Sequence, residues 1–154
     1  MQRVTNCILL KDDHILLLKK PRRGWYAIPG GKMEQGESIK ESVIREFREE
    51  TDLQLIQPEL IGTFTFNILD GANVLQEWMM FTFVCDQYSG RLIEHCREGE
   101  LEWVPTKHVM NLPMAEGDRA IFKHILTSRK MLYGSFFYTE QYKLIDMRID
   151  PTGY

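Results

Sequence analysis

Between Gly30 and Leu53 a Gly-Gly turn runs into a helical pattern whose acidic residues sit where core-facing side chains belong. Ser38 followed by Glu41 is a capping-box pattern that starts a helix. Ile39, Val43 and Phe47 recur every four residues and define its apolar face. At about 100° per residue, Glu50 falls inside that apolar arc, Glu46 falls just beside it, and Glu49 lies on the next strip round. Local physics opposes this arrangement. The helix C-terminus is the negative end of the dipole, like charges at i,i+4 repel, and burying an unpaired carboxylate is costly. A positive charge must compensate. Arg45 and Arg48 screen part of the acid, but a divalent cation fits better. Mg²⁺ takes hard oxygen ligands and is commonly shared between carboxylates and substrate phosphates. The alternative is a solvated acidic face with exposed Glu–Arg pairs, and the arc position of Glu46 and Glu50 argues against it.

Gly31, Glu37, Arg45, Glu46, Phe47, Glu49, Glu50 and Leu53 fall on the pattern G-x5-E-x7-R-E-U-x-E-E-x-G-U, so the stretch resembles the Nudix box. Asp52 departs from it, standing where the family has glycine. The resemblance implies an α/β protein, an α/β/α sandwich with a mixed β-sheet between helices, in which the box is a strand–loop–helix unit. It also implies hydrolysis of a nucleoside diphosphate linked to another group. Carried over by position, Glu46, Glu49 and Glu50 are expected to ligate metal together with the carbonyl of Gly30. Glu37 is expected to be an outer ligand or to orient the metal's water, Lys32 to reach a phosphate, and Arg45 to position a box glutamate. Mg²⁺ is the implied cofactor, with Mn²⁺ able to substitute. The metal would neutralise phosphate charge and lower the pKa of water, and Glu46 or Glu49 would take the proton.

Outside the box, a further carboxylate is usual in the nucleoside-triphosphate branch of that family. Glu98 and Glu100 are the candidates, and the spacing of Glu98 to Trp103 favours Glu98. Trp25 or Tyr26 stands where the 8-oxo-dGTP diphosphatase branch has a base-stacking aromatic, and the run Tyr133 to Tyr138 also resembles that branch. Stacking argues for a base without saying which base. The asparagine expected beside the stacking ring is absent, since Tyr26 or Ala27 stands there. Arg22 and Arg23 are either phosphate contacts or a solvated loop. Asp118 is expected to open the second main helix, as its N-cap or as an acceptor for a purine edge.

The length of 154 residues suits one domain over residues 1–154. A 44% hydrophobic, 27% charged composition is that of an ordinary soluble protein, and a net charge of −3 provides no global basic field for nucleic acid or anionic membrane. Cys7, Cys85 and Cys96 form no C-x-x-C pair, which favours a reducing cytoplasm over a disulfide scaffold. The four histidines (His14, His95, His108, His124) show no zinc spacing. Lys11 interrupts the N-terminal apolar run, so a signal peptide is not expected, and no apolar stretch is long enough to span a bilayer. Strands are expected over 4–10, 15–19, 59–68, 74–85, 101–104, 133–138 and 143–149, with a short helix over 106–112. The expected function is Mg²⁺-dependent cleavage of a nucleoside triphosphate, with an oxidised purine such as 8-oxo-dGTP in view, to a nucleoside monophosphate and pyrophosphate. The expected partner is a small nucleotide, with no membrane and no stable nucleic-acid complex, and the chain would be a monomer or homodimer. The alternatives are another nucleotide polyphosphate as substrate (a guanosine alarmone, a dinucleoside polyphosphate or an RNA 5′ end) and a sensing module that binds without turnover. The intact glutamate set argues against the sensor.

Overall fold

The computed structural model describes residues 1–93 and 96–152. Strand β1 (Gln2–Lys11) turns through Asp12 and Asp13 into β2 (His14–Lys19). Both turn residues have positive φ, 49° and 60°, which a two-residue hairpin requires and Asp tolerates. Two short strands follow, β3 (Tyr26–Ala27) and β4 (Gly30–Lys32), and then helix α1 (Ile39–Thr51). Strand β5 (Leu53–Leu55) leads to the long hairpin of β6 (Glu59–Asp70) and β7 (Asn73–Cys85). Strands β8 (Tyr88–Gly90) and β9 (Glu100–Pro105) precede the short α2 (Thr106–Val109) and α3 (Glu116–Ile125). A hairpin of β10 (Leu132–Thr139) and β11 (Leu144–Asp150) completes the described chain.

One mixed sheet runs in the order β11-β10-β6-β7-β1-β2-β3, with β4 added to β1 and β9 to β2. The pairings β1–β7 and β6–β10 are parallel, and the others are antiparallel. β5 and β8 form a small separate sheet. Alternation along β1 and β2 sends side chains to opposite faces. Cys7, Leu9 and Leu16 join Val43 and Phe47 of α1 in one core. Ile8, Ile15 and Leu17 join Ile121, Phe122 and Ile125 of α3 in the other. Each fully buried side chain of this size contributes roughly 1.5–3 kcal/mol, so both helices are held to the sheet chiefly by apolar packing. The sheet therefore lies between α1 and α3, the expected sandwich.

The capping box of α1 forms as its sequence directs. Ser38 Oγ accepts from the Glu41 N–H at 3.1 Å, and the Glu41 carboxylate accepts from the Ser38 N–H at 2.8 Å. At the other end Asp52 adopts the left-handed conformation, φ 67° and ψ 13°, and its N–H donates to the Arg48 carbonyl. That is the geometry a glycine at this position would adopt freely.

Helix α3 corrects one expectation. It begins at Glu116 with Ala115 as N-cap, and Asp118 lies within the first turn rather than at the cap. The Gly117 N–H donates to the Tyr138 hydroxyl of β10 at 2.7 Å. A strand side chain therefore supplies what a capping residue would have supplied. Glu116 and Asp118 both lie in the first turn, where the positive end of the dipole favours acid. The short helix expected over 106–112 is confined to α2.

Candidate metal and nucleotide site

β4 lies against β1 with Gly30 opposite Asn6 and Gly31 opposite Thr5. The approach is close enough to require glycine. A Cβ on Gly30 would meet the Thr5 carbonyl oxygen at 2.0 Å, and one on Gly31 would meet Glu46 Oε2 at 2.1 Å. Gly31 thus abuts the Glu46 carboxylate, and the Gly30 N–H donates to Glu50 Oε2 at 3.3 Å. The Gly-Gly turn and the acidic end of α1 form one unit.

Arg45 supplies most of the countercharge. Its Nε and Nη2 clamp the Glu37 carboxylate from both sides, while Nη1 donates to Glu46 Oε1 at 2.9 Å and to Glu49 Oε2 at 3.1 Å. Nη2 also donates to the Lys32 carbonyl at 3.1 Å, which ties the turn to the helix. The Arg45 guanidinium, helped by the Glu34 N–H, holds the Glu37 carboxyl down at about 2. The same bonds raise the pKa of Arg45, so its charge is permanent. Arg48 is exposed, and so is Lys32, whose backbone carbonyl is the part engaged here.

Glu50 is partly buried and has no ion-pair partner among the described residues. Burial pushes its carboxyl up to about 7, and the charges of Glu98 and Glu46 add to that, while the Gly30 N–H and Lys20 oppose it. Glu46, Glu49, Glu50 and Glu98 line a single pocket of about 530 Å³ with Ile93, Cys96 and Arg97. Glu98 sits in the turn closed by the Cys96–Gly99 bridge. Glu100 begins β9 opposite Lys19 and lines a different pocket. Of the two outside candidates, only Glu98 is brought to the box glutamates.

These donors are oxygens only, and Glu50 is a carboxylate without a counterion, a chemistry that suits Mg²⁺ or Mn²⁺. Among the described residues no three Asp, Glu, His or Cys side chains converge closely enough to enclose an ion, because Arg45 holds Glu46 and Glu49. Metal would therefore compete with Arg45 for those two carboxylates. His95 lies outside the described residues.

A second cavity, of about 310 Å³, lies on the other side of β4. Trp25, Tyr26, Phe66, Trp78, Tyr138 and Tyr142 line it, together with Gly30, Gly31, Lys20 and Asp118. Phe66 and Trp78 stack at 5.3 Å with their planes 10° apart. Tyr26 is fixed by donating to Glu102 Oε2 at 2.9 Å. Burial pushes the Asp118 carboxyl up to about 6, against the pull of Lys20. Lys20 thus acts electrostatically on both Asp118 and Glu50.

Arg23, one of the two loop arginines expected to be phosphate contacts or solvated, packs on two rings and bonds one carbonyl. Its guanidinium lies 5.2 Å from the Trp25 ring and 5.0 Å from the Tyr142 ring, and Nη1 donates to the Gln141 carbonyl at 3.2 Å. It fastens the β2–β3 loop to the β10–β11 turn. Sequence reasoning also missed Lys20, Phe66 and Trp78. The two rings sit in strands that read as ordinary core, and their convergence depends on the β6–β7 register, in which Phe66 faces Trp78. A lysine followed by Pro21 at the end of β2 was the one visible signal for Lys20.

A glycine strand packs against a carboxylate-rich helix with an arginine distributing countercharge, and the chain belongs to the Nudix hydrolase family. The NUDIX domain matches residues 1–125. The chain is 52% identical over 151 residues to the uncharacterized Nudix hydrolase YvcI of Bacillus subtilis (strain 168), covering 98% of this chain and 96% of that one. The crystal structure of a mutator MutT protein from Bacillus halodurans superposes with a TM-score of 0.97 at 50% identity, covering 99% of this chain and 100% of that one. The CTP pyrophosphohydrolase of Escherichia coli (strain K12) is 24% identical over 133 residues, covering 84% of this chain and 94% of that one. Among the described residues no helix is long and apolar enough to cross a membrane.

Proposed function

We propose that this protein is a Mg²⁺-dependent pyrophosphohydrolase of nucleoside triphosphates, releasing a nucleoside monophosphate and pyrophosphate. One observation carries the reading. Gly30 and Gly31 line the aromatic cavity, and the same two residues touch Glu50 and Glu46 on the acidic side. A base held among the rings therefore places its phosphates at the carboxylates across a single strand. The resemblance to a MutT protein and to a CTP pyrophosphohydrolase supports a triphosphate substrate. The metal, held by Glu46, Glu49, Glu50 and Glu98, would neutralise phosphate charge and acidify water. The protein's own residues do the rest. Trp25, Tyr26, Trp78 and Phe66 form the wall against which the base packs. Lys20, which lines the aromatic cavity, would reach a phosphate, and Arg45 fixes Glu37 and Glu46. Glu46 or Glu49 accepts the proton of the attacking water. Asp118, at about 6, is poised to donate or accept a hydrogen bond at the base edge, which favours a purine, including an oxidised one.

The test is turnover with Mg²⁺ over a panel of natural and oxidised nucleoside triphosphates, alarmones and dinucleoside polyphosphates, with products resolved by chromatography. The reading expects pyrophosphate from triphosphates, and Asp118→Asn should reorder the panel in kcat/KM. Tight binding without turnover, or preference for a substrate other than a triphosphate, would overturn it.

A further inference from the structure

β11 ends the main sheet, and among the described residues no strand lies along its outer edge. The Met147 N–H donates to Asp146 Oδ1 at 2.8 Å rather than across to β10. The N–H and C=O of Met147 therefore face away from β10, and by alternation so do those of Ile149. Free backbone groups on an edge strand are a template for another strand. Ile145 and Met147 are exposed at this edge. Met147 lies on the α3 side of the sheet, because it pairs with the buried Phe136. Asp146, Arg148 and Asp150 alternate onto the opposite side.

The order of residues along this edge is self-complementary. When the strand is laid antiparallel on a copy of itself about a two-fold axis at Met147, Asp146 meets Arg148 of the second copy, and the pair occurs twice. The two methionines meet on the axis. Registers displaced by one step of the pleat fail. An axis at Asp146 sets Asp146 against itself, and an axis at Arg148 sets Arg148 against itself and Asp146 against Asp150. Like charges directly opposite one another destabilise a strand pair, whereas opposite charges stabilise it. The β-bulge between Phe137 and Tyr138 affects the pairing with β10 near Ile145, at the end of this segment.

We propose that β11 is a self-association edge, at which a second copy of this chain adds antiparallel about a two-fold axis at Met147. On pairing, the Met147 N–H passes from the Asp146 carboxylate to the Met147 carbonyl of the second copy, and Asp146 turns to Arg148 of the second copy. Such a contact is isologous and closes at two copies. It would also brace the β10–β11 hairpin, whose turn carries Tyr142 into the aromatic cavity.

The experiment is light scattering of the purified chain at micromolar concentration, with circular dichroism as a check on folding. The wild type should run at twice the chain mass. Asp146→Arg alone and Arg148→Asp alone should each weaken the dimer at least tenfold, and the double exchange should restore it. Met147→Lys should give a folded monomer, because two ammonium groups would meet on the axis. A monomeric wild type, a dimer unmoved by either single reversal, or a double exchange that fails to restore association would overturn the proposal.

Discussion

Replacing Glu50 with glutamine separates its cost to the fold from its service to the metal. The Glu50 carboxyl is pushed up to about 7 by burial and by Glu98 and Glu46, against 4.5 in the unfolded chain. A raised folded-state value means that stability is fully present below 4.5 and is lost as pH rises through about 7. Carried as free energy, the displacement is at most about 3 kcal/mol, and solvent screening of a partly exposed group reduces it to about 2 kcal/mol. Glutamine keeps an oxygen for the Gly30 N–H and carries no charge. In EDTA at pH 8, Glu50→Gln should therefore melt about 5 °C above the wild type, and at pH 4 the difference should vanish. Saturating Mg²⁺ should raise the wild-type Tm by an amount that grows with the logarithm of metal concentration. The variant should lose most of that rise and at least about a hundredfold in kcat. Differential scanning fluorimetry of both proteins at two pH values, with EDTA and with Mg²⁺, reads all of this. Equal melting at pH 8 in EDTA would refute the electrostatic argument. An undiminished Mg²⁺ shift with normal turnover would refute the metal site.

Four further substitutions test the same geometry. Arg45→Met should raise the Glu37 carboxyl from about 2 toward its ordinary value of 4.5, so the stability that the wild type holds at neutral pH and loses as pH falls from 4.5 to about 2 should be missing from the variant already at neutral pH, and the variant should change less over that range. An acid titration followed by circular dichroism checks this. Gly31→Ala should cost at least about tenfold in turnover with little change in Tm, because the intruding methyl displaces only the end of the Glu46 side chain. Gly30→Ala should instead prevent normal folding, because there the methyl meets the backbone of β1, and the two variants compared by melting and activity distinguish the cases. Asp52→Gly should stabilise by up to about 1 kcal/mol with activity intact, since the residue is left-handed and its charge lies at the negative end of α1. A lower denaturation midpoint would show that the Asp52 side chain has a favourable role.

What could be read in advance was what depends on near neighbours. The Ser38–Glu41 box, the placement of Glu46 and Glu50 beside the apolar arc, and the left-handed end at Asp52 are set within a few residues, and periodicity reports them. The hairpin turns at Asp12–Asp13 and Asp70–Asn73 are local in the same sense. The aromatic cavity is not local. Phe66, Trp78 and Tyr138 meet because β6 pairs with both β7 and β10, and nothing in their immediate sequence distinguishes them from core rings. The cap of α3 failed for the same reason, since its partner Tyr138 stands on another strand. The loop sequence leaves Arg23 as either a phosphate contact or a solvated residue, because its ring partner Tyr142 stands far along the chain. Strands β3, β4, β5 and β8 have at most three residues each and exist through pairing rather than propensity.

Strand β4 stands as a thin partition between the two halves of the proposed site. Gly30 and Gly31 have no side chains to give way, and each contacts a carboxylate on one face while bordering the aromatic cavity on the other. If a base packs there as proposed, close packing of both glycines against Thr5, Asn6 and Glu46 leaves little room for it to seat askew. On the proposed reading, any misplacement would instead be carried along the nucleotide to the phosphorus. In-line attack tolerates little error, since a shift of about 1 Å can cost roughly a hundredfold. Wrong bases would therefore be rejected mainly by turning over slowly once bound, and fidelity would be expressed in kcat more than in KM.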